Sequence, residues 1–458
     1  MKADTISAVS TPPGEGAVGI IRLSGDKSLR IAQKIFCPKS GKPFDGSEPN
    51  KLIYGHIIDK SGNIVDEVLC VYMKAPYSYT AEDVVEVQCH GGIVSRQKIL
   101  SLTYENGARP AEAGEFTKRA FLNGRIDLAQ AEAVMSIIRA GNEIALKQAL
   151  YQQQGLFSRE IKKLRDDLKE LLIETEAVLD YPEEDLEDIT TEKMLAVINS
   201  VNEKISNLLK NARTGRIIKE GLRTVITGKP NVGKSSLLNA LAGEDIAIVT
   251  DIAGTTRDSI EEQLFFDGLP LVLIDTAGIR DTEDKIEKIG IDKSKEKLNQ
   301  ADMVLFIVDG SQDLSGEDKE LLFLVKQKPH IILINKSDLL QKVSKEQFPD
   351  IDEKDIIVIS AKEKLGWQEF SERLKEKVFG ESRALGEGIY VQEARHRALL
   401  QEANNFLSEA VLAAEAKMPI DCIVIDVKNA FESLGLITGE TVSDEIVNEI
   451  FARFCLGK

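Results

Sequence analysis

The sequence predicts a multidomain α/β protein with an α+β N-terminal domain, a helical domain, and an α/β domain inserted between the two halves of the helical one. In residues 1–119, short β-rich runs are separated by Gly, Pro and Ser clusters. In residues 120–219 and again in 381–458, apolar residues recur at three- and four-residue steps, as in amphipathic helices. In residues 220–380, apolar runs alternate with helical patterns, which favours a buried parallel sheet.

Composition and charge are typical of a globular protein of several domains. A chain of 458 residues is long enough for about three domains with full cores. It contains neither a run of eighteen apolar residues nor a secretory pattern, so no membrane span and a cytoplasmic location are expected. Five cysteines without a C-x-x-C pair disfavour a disulfide framework and a zinc site. A net charge of −17 excludes binding of nucleic acid by bulk positive charge, although a local basic patch or a partner could still supply a binding surface.

Three strands are predicted in the N-terminal domain, at Val18–Leu23, Glu67–Met73 and Val84–Cys89. Each is a short run rich in β-branched or alternating apolar residues. Turn-forming clusters of Gly, Pro and Ser lie between them, so the segment is expected to form a compact α+β domain.

Three apolar stripes predict the main helices of the helical domain. The first stripe runs from Ile161 to Leu172 and the second from Met194 to Leu209, with the acidic run 181–185 breaking one helix from the next. The third stripe consists of Ile446, Val447, Ile450, Phe451 and Phe454. We expect the helices on either side of the inserted domain to pack together, and two separate bundles are the alternative.

The inserted domain contains five apolar runs of the kind found in buried parallel strands. They are Thr224–Thr227, Leu271–Ile274, Val304–Val308, Ile331–Ile334 and Ile356–Ile359. Because ligands bind outside the carboxyl ends of the strands in such sheets, the residues that follow each run are candidates for a site.

A phosphate-binding loop follows the first of these strands. The run 228–235 reads Gly-Lys-Pro-Asn-Val-Gly-Lys-Ser and matches the pattern G-x-x-x-x-G-K-[ST] between a strand and a helix. In this pattern Lys234 reaches the β- and γ-phosphates, Ser235 offers its hydroxyl to Mg²⁺, and backbone N–H groups face the phosphate oxygens. The residues expected at the phosphates are Asn231, Val232, Gly233, Lys234, Ser235 and Ser236.

Two further motifs are expected at the base, and the first of them predicts that the base is guanine. Asp338, in Asn335-Lys336-Ser337-Asp338, can accept both N–H groups on the Watson–Crick edge of guanine, whereas adenine would leave the carboxylate unpaired. A site of this kind rejects the wrong partner by about 10⁴-fold. The run Ser360-Ala361-Lys362 ends the last strand and is expected to close over the base. The nucleotide is therefore expected to be GTP, on a Ras-like P-loop G domain.

Two loops are expected around the γ-phosphate. In Asp275-Thr276-Ala277-Gly278, the Asp can hold Mg²⁺ through water and the Gly N–H can approach the phosphate. In the run 254–258, Thr256 is the expected second Mg²⁺ hydroxyl, with a plain turn as the alternative. Many small GTPases place a Gln directly after the Gly of the first loop, but here that residue is Ile279, which cannot orient water. The nearby candidates for that role are Glu283, Asp284 and Glu287.

Motifs in several separate segments give the chain a family resemblance. They are Thr11-Pro12-Pro13-Gly14, Ser78-Tyr79-Thr80-Ala81-Glu82-Asp83, His90-Gly91-Gly92, Gly114-Glu115-Phe116-Thr117, Phe121-Leu122-Asn123-Gly124-Arg125-Ile126-Asp127-Leu128 and Cys455-Leu456-Gly457-Lys458. Together with the G motifs, they make the chain similar to the MnmE (TrmE) family of tRNA-modifying GTPases over essentially its whole length.

The resemblance implies a folate-binding-like N-terminal domain, through which two copies form a homodimer. It implies a MnmG-like partner that contains FAD, and addition of an aminomethyl-type group, such as carboxymethylaminomethyl, to carbon 5 of a wobble uridine in tRNA. The one-carbon donor would be 5-formyl- or 5,10-methylene-tetrahydrofolate. A GTPase switch that acts in ribosome assembly is the alternative function.

The resemblance also assigns residues to the folate. Arg22, Glu82 and Arg125 would contact it, with Lys458 close by, although the family often has Lys at the position of Arg125. From the residues alone, Arg22 could equally reach solvent and Glu82 could be a turn residue. Cys455 would supply a thiol as nucleophile or proton handler, and a disordered tail is the alternative.

The resemblance finally assigns the groups that promote hydrolysis. Glu287 would position the attacking water, with an ordinary helix-face carboxylate as the alternative. Potassium would be bound by the Asn231 side chain and by the backbone carbonyls of Thr250, Ile252 and Thr255, whereas Asn231 could instead only cap its loop. The whole potassium loop consists of Thr250, Asp251, Ile252, Ala253, Gly254 and Thr255.

Overall fold

The computed structural model describes two compact units. The described residues are 4–180, 191–243, 262–274, 300–380 and 388–458. The first unit comprises Met1–Met135, Gln152–Asp166 and Phe431–Lys458, and the second comprises Ser136–Tyr151 and Asp167–Ala430. The division into four segments at residues 119, 219 and 380 stays a prediction.

The first unit is built on a seven-stranded sheet. Its strands are β1 (Ile6–Val9), β2 (Val18–Ser24), β3 (Phe36–Pro38), β4 (Ile53–Ile58), β5 (Ile64–Met73), β6 (Val84–His90) and β7 (Arg109–Pro110). The order across the sheet is β3-β4-β5-β6-β2-β1-β7, and neighbouring strands are antiparallel except β1 and β7. The three strands predicted here, β2, β5 and β6, are confirmed. Of the other four, β1, β3 and β7 have at most four residues, and β4 carries a glycine and a histidine within its apolar run.

The helices run through both units. Within the described ranges they are α1 (Ser28–Ile35), α2 (Ile93–Glu105), α3 (Glu115–Leu122), α4 (Leu128–Arg139), α5 (Glu143–Gln153), α6 (Leu156–Asp180), α7 (Thr191–Lys210), α8 (Ala212–Glu220), α9 (Lys234–Ala242), α10 (Gly316–Val325), α11 (Trp367–Phe379), α12 (Ala394–Glu415), α13 (Ile420–Thr438) and α14 (Asp444–Ala452). Helices α1 and α2 pack on the sheet of the first unit, where Ile21, Val87 and Ile99 share one buried core. None of the helices in the described part of the chain is long and apolar enough to cross a membrane.

Helix α14 packs against α3 and α4 through an aromatic cluster. Val447, Phe451 and Phe454 are buried there together with Leu128 of α4. Ile446, which we expected in the same stripe, is instead 40% exposed. The buried positions fall at Val447 and, four residues later, Phe451, and Ile446 is rotated by about 100° from its neighbour Val447, away from that face.

The second unit is built on a six-stranded sheet. Its strands are β8 (Leu222–Thr227), β9 (Glu262–Phe266), β10 (Leu269–Leu273), β11 (Met303–Asp309), β12 (His330–Asn335) and β13 (Ile356–Val358), in the order β13-β12-β11-β8-β10-β9. All neighbouring strands are parallel except β9 and β10, so the predicted parallel sheet is confirmed. The unpredicted β9 is joined to β10 by Asp267 and Gly268, which both have positive φ, as in a type I′ hairpin turn.

The parallel sheet of the second unit is covered on both faces. Along β11 every residue is buried, and successive side chains enter opposite cores, with Leu305 in one and Phe306 in the other. This explains why the run is continuously apolar in sequence. Outside the sheet, α7 packs against α12, and Ser206 donates a hydrogen bond to Asn404 Oδ1 at 2.9 Å. Helices from before and after the inserted domain therefore pack together, as expected.

Candidate functional sites

The phosphate-binding loop follows β8 and leads directly into α9. Gly228 and Gly233 have φ of 152° and 106°. A Cβ would lie 2.3 Å from Ile307 O at the first position and 2.2 Å from Asn335 Nδ2 at the second. Only glycine fits either position without displacing these atoms. The backbone therefore curls closely enough for its N–H groups to face a bound phosphate.

The side chain of Lys234 is hydrogen-bonded to the backbone of this loop. Its Nζ donates to the carbonyls of Gly228 at 2.6 Å and Lys229 at 3.1 Å. Ser235 follows in the first turn of α9, where the partial positive charge of the helix N-terminus favours an anion. The glycine cradle, one ammonium group and one hydroxyl are the donor set that a nucleoside triphosphate with Mg²⁺ requires. Lys234 would hold the phosphates and Ser235 the metal.

Asn335 joins three of the predicted segments. Its side chain is buried, and Nδ2 donates to the carbonyl of Val232 at 2.8 Å in the phosphate-binding loop. Its Oδ1 accepts from the backbone N–H of Ala361 at 3.0 Å, in the loop after β13. One residue thus ties the phosphate-binding loop to the segment expected to close over the base.

Asp338 is presented as an acceptor for a base. Ser360 Oγ donates to its Oδ1 at 2.7 Å, and this hydrogen bond lowers the pKa of the exposed carboxyl below its ordinary value. The group therefore stays ionised near neutral pH and can accept N–H groups from guanine. The side chain of Lys362 is 80% exposed and is available to move over a base.

Lys336 is fixed by a second carboxylate. It has a φ of 66°, and its Nζ lies 2.6 Å from Asp309 Oδ2 at the end of β11. Burial alone would raise the pKa of Asp309, but hydrogen bonds from Lys336 and Ser311 outweigh it and lower that pKa. The pair keeps the loop after β12 against the edge of the sheet.

One contact of the phosphate-binding loop was not predicted from the sequence. Lys229 Nζ lies 2.6 Å from Asp318 Oδ2 and 3.0 Å from Ser315 Oγ, at the start of α10. Ser315 and Asp318 form a capping box there. The spacing of Ser and Asp three residues apart was the available signal for the helix start, but not for its contact with the loop.

Several predicted residues lie outside the described ranges. They are the potassium and switch loop Thr250–Thr256, the run Asp275–Gly278, and the candidates Glu283, Asp284 and Glu287. Strand β10 ends at Leu273, beside the parallel strand β8 that leads into the phosphate-binding loop. The roles of these residues stay predictions.

A second candidate site lies in the first unit, around the ring of Tyr79. The guanidinium carbon of Arg22 is 5.3 Å from the ring centroid, and that of Arg125 is 5.1 Å from it. Arg125 Nη1 also donates to the carbonyl of Tyr79 at 2.9 Å. The structure thus brings together two arginines that are 103 positions apart in the sequence.

The carboxylates at this site are already hydrogen-bonded. Glu82 accepts from Ser24 Oγ at 2.7 Å and from Arg119 Nη1 at 3.1 and 3.3 Å. Arg22 pairs instead with Glu86, with 2.7 Å between Nε and Oε1. Glu86 was missed because it faces Arg22 only through the register of β2 with β6, which the sequence does not specify.

The end of the chain is docked in the same unit. The carbonyl of Gly457 accepts from Ser10 Oγ at 3.1 Å and from Arg22 Nη1 at 3.5 Å. Lys458 O accepts from the N–H of Phe116 at 3.2 Å, in the first turn of α3. The tail is therefore ordered through backbone contacts, rather than disordered as in the alternative interpretation.

Two glycines allow this docking. Gly457 has a φ of 87°, and a Cβ there would lie 2.3 Å from the carbonyl oxygen of Val9. Gly114 has a φ of 67°, and a Cβ would lie 2.5 Å from the carbonyl oxygen of Phe451. Cys455 lies between these contacts and its side chain is exposed.

Comparisons with known proteins cover the whole chain. The family model described as the MnmE helical domain matches residues 128–455, and the one described as the GTP-binding protein TrmE N-terminus matches residues 5–125. The chain is 47% identical over 456 residues to the tRNA modification GTPase MnmE of Clostridioides difficile (strain 630), covering 99% of each chain. It is 48% identical over 458 residues to the protein of that name from Alkaliphilus metalliredigens (strain QYMF), again covering 99% of each.

A further relative and one solved structure complete the comparison. The chain is 48% identical over 460 residues to the tRNA modification GTPase MnmE of Thermoanaerobacter pseudethanolicus (strain ATCC 33223 / 39E), covering 100% of both. The crystal structure of the G domain of the T. maritima FeoB iron transporter covers 34% of this chain and 98% of that chain at 23% identity. The TM-score between the two is 0.26.

Proposed function

Because the chain belongs to the MnmE (TrmE) family of tRNA modification GTPases, we propose that its GTP hydrolysis serves the modification of a wobble uridine. The product carries an aminomethyl-type group, such as carboxymethylaminomethyl, on carbon 5 of that base. The one-carbon unit comes from 5-formyl- or 5,10-methylene-tetrahydrofolate. The chain acts in the cytoplasm as a homodimer, together with a MnmG-like partner that contains FAD.

The observation that best supports this proposal is the contact between the tail and Arg22. Gly457 O lies 3.5 Å from Arg22 Nη1, and Cys455 is two residues from that contact. A thiol and a pair of guanidinium groups therefore belong to one compact unit, separate in sequence from the G domain. A switch protein that only binds and releases a partner has no need of such a second chemical site.

The residues of the second site fit a reduced folate. Such a molecule combines a flat heterocycle with a carboxylate-bearing tail, and guanidinium groups bind carboxylates through paired hydrogen bonds. Arg22 and Arg125 would hold its anionic groups, with Lys458 adding a third cation. Glu82, kept in place by Ser24 and Arg119, would accept hydrogen bonds from the heterocycle.

The G domain supplies the groups for hydrolysis. Lys234 would bind the β- and γ-phosphates, Ser235 and Thr256 would bind Mg²⁺, and Asp338 would select guanine. Mg²⁺ would neutralise charge on the phosphates. Glu287 would orient the attacking water, because Ile279 cannot.

Potassium binding is part of the same proposal. Asn231 is exposed with a φ of 64°, in the phosphate-binding loop, and its side-chain oxygen can ligate a cation. The carbonyls of Thr250, Ile252 and Thr255 would complete the site. A cage of carbonyl oxygens suits a large, weakly hydrated cation, so sodium should replace potassium poorly.

The modified-nucleoside profile of tRNA tests the proposed function. Total tRNA from cells that lack this chain should have lost the modified wobble uridine and should regain it on expression of the chain but not of Cys455→Ser. An unchanged profile in the deleted strain would contradict the proposal. If the profile is unchanged and affinity purification recovers ribosomal particles rather than a flavoprotein, a role in ribosome assembly is supported instead.

A further inference from the structure

The ring of Tyr79 is shared by two cations that come from different parts of the first unit. Arg22 is on β2 and Arg125 follows α3, yet both guanidinium carbons lie within about 6 Å of the ring centroid, the reach of a cation–π interaction. Two guanidinium groups repel each other. The attraction of each cation to the electron-rich ring offsets part of this repulsion.

Tyr79 is itself held firmly. Its hydroxyl is 2.8 Å from Oγ1 of Thr117, a buried residue of α3. Its side chain packs against the small core formed by Ile6, Ala8, Ala111 and Phe116. A ring fixed by its hydroxyl and by this core presents a fixed surface to the cations.

The two arginines depend on this ring to different degrees. Arg22 has other partners, because it pairs with Glu86 and lies 5.6 Å from the ring centroid of Phe116. Arg125 is exposed, and its polar contact at 2.9 Å is with the carbonyl of Tyr79 itself. A long exposed side chain without such contacts samples many rotamers, and ordering it costs free energy on binding.

We propose that Tyr79 is a positioning residue for the anionic ligand of the first unit, because it holds the guanidinium groups of Arg22 and Arg125 for recognition of carboxylates. This inference rests on the proposed function, which assigns a reduced folate to these two arginines. In the competing interpretation the ring only covers the small core, and an aliphatic side chain of similar size would serve equally well.

Calorimetric titration of the full-length chain with 5-formyl-tetrahydrofolate tests the inference. Tyr79→Leu removes the ring face and should raise the dissociation constant of the folate about tenfold. Tyr79→Phe keeps the ring face, so its dissociation constant should stay within about threefold of the value for the unsubstituted chain. The matched control is Tyr77→Leu, because Tyr77 is 82% exposed in the same loop, and its affinity should be unchanged. If Tyr79→Leu does not fold, as judged by thermal unfolding, Tyr79→Met takes its place.

A double-mutant cycle separates positioning from a structural role. When Arg125 has already been replaced by Leu, Tyr79→Leu should weaken folate binding by less than about threefold, because the guanidinium group that Tyr79 positions is no longer present. A full tenfold loss in that background, or equal affinities for Tyr79→Leu and the natural chain, would overturn the inference while leaving the folate proposal intact. Absence of binding by the natural chain would instead overturn the folate proposal and this inference with it.

Discussion

At the residue scale, Asp338 is the residue that we propose to select the base. Its carboxylate is held by Ser360 and keeps a lowered pKa, so it offers acceptors and no donor to the base. Asp338→Asn replaces one acceptor with an N–H donor, which complements the second carbonyl of xanthine rather than the amino group of guanine. We expect GTP affinity to fall by about 10³–10⁴-fold and xanthosine triphosphate to become the preferred nucleotide.

Equilibrium binding of the two nucleotides checks this prediction. The control is Glu363→Gln, a nearby exposed carboxylate that pairs only loosely with Lys362, at 3.5 Å. That variant should keep its preference for GTP. Continued selection of GTP by Asp338→Asn would mean that another group reads the base.

His90 and Asp66 form a pH-sensitive pair at the end of β6. The Asp66 hydrogen bond raises the pKa of His90. Burial tends to raise the pKa of Asp66, but hydrogen bonds from Ser95 and His90 outweigh it and lower that pKa. Because the pKa of His90 is higher in the folded protein than in the unfolded chain, protonated His90 stabilises the fold at pH values below about 6.5, the ordinary pKa of histidine. This stabilisation is lost as the pH rises through the folded-state pKa of His90. Because the pKa of Asp66 is lowered, ionised Asp66 stabilises the fold at pH values above about 3.9, the ordinary pKa of aspartate, and this stabilisation is lost as the pH falls through the folded-state pKa.

The His90–Asp66 pair should therefore stabilise the fold most strongly between about pH 4 and pH 6.5. We expect His90→Gln to lower the thermal unfolding midpoint more at pH 5.5 than at pH 9, in scans at matched ionic strength. His56→Gln on β4, where the ring contacts Tyr54, serves as the control. An equal loss at both pH values would show that the charge on His90 does not contribute.

The residue scale also shows what a sequence can and cannot specify. Asn335, Asp338 and Ser360 could be given expected roles from the sequence, because they follow strand ends and because guanine presents two N–H groups to a carboxylate, and those roles stay predictions. Glu86, Arg119 and Tyr79 were not singled out, because their roles depend on strand register and on how a loop folds over a core. Those contacts join residues that are distant in the sequence.

At the scale of elements, the last four residues act as a docked segment. Gly457 approaches the backbone of β1 so closely that any side chain would displace it. We expect Gly457→Ala to detach the tail and to lower tRNA modification in the reconstituted system by at least about tenfold, with Cys455 and Lys458 still present. The physical reason is the 2.3 Å approach of a Cβ to Val9 O, added to the strain of a positive φ.

Gly62→Ala is the matched control for the tail. Gly62 also has a positive φ, of 81°, but a Cβ there meets nothing within 4 Å. Both variants carry a backbone penalty of about 1 kcal/mol, and only Gly457→Ala adds the clash. If the two variants modify tRNA equally, docking of the tail is not required for the reaction.

Some strands could be predicted from the sequence more readily than others. The buried runs of β11 and β12 were clear because parallel strands covered on both faces are apolar at every position. Strand β9 has no such run, although the Asp267-Gly268 turn was an available signal for a hairpin. The docking of the tail could not be derived from periodicity, because it depends on backbone contacts between the two ends of the chain.

At the scale of the whole molecule, we expect hydrolysis to depend on potassium and on the pairing of G domains in a dimer. Fast GTPases commonly use an arginine finger worth about 10³–10⁵ in rate, and here a potassium ion bound through Asn231 would supply the positive charge. We expect faster steady-state hydrolysis in potassium than in sodium at equal ionic strength. We also expect the full chain to show potassium-linked pairing in GDP and aluminium fluoride.

Asn231→Ala should erase the difference between the two salts while nucleotide binding is retained. Asn239, an exposed residue of α9 outside the phosphate-binding loop, provides a matched control in Asn239→Ala, which should keep the potassium effect. Equal rates of the natural chain in both salts would refute the mechanism.

Reconstitution of the reaction tests whether GTP hydrolysis is coupled to modification of the tRNA. The purified chain, a FAD-containing partner, unmodified tRNA and a one-carbon tetrahydrofolate would be incubated with GTP or with a non-hydrolysable analogue, and the wobble uridine would be analysed by mass spectrometry. We expect the modified uridine with GTP and none with the analogue. Equal modification with both nucleotides, or modification without this chain, would contradict this expectation.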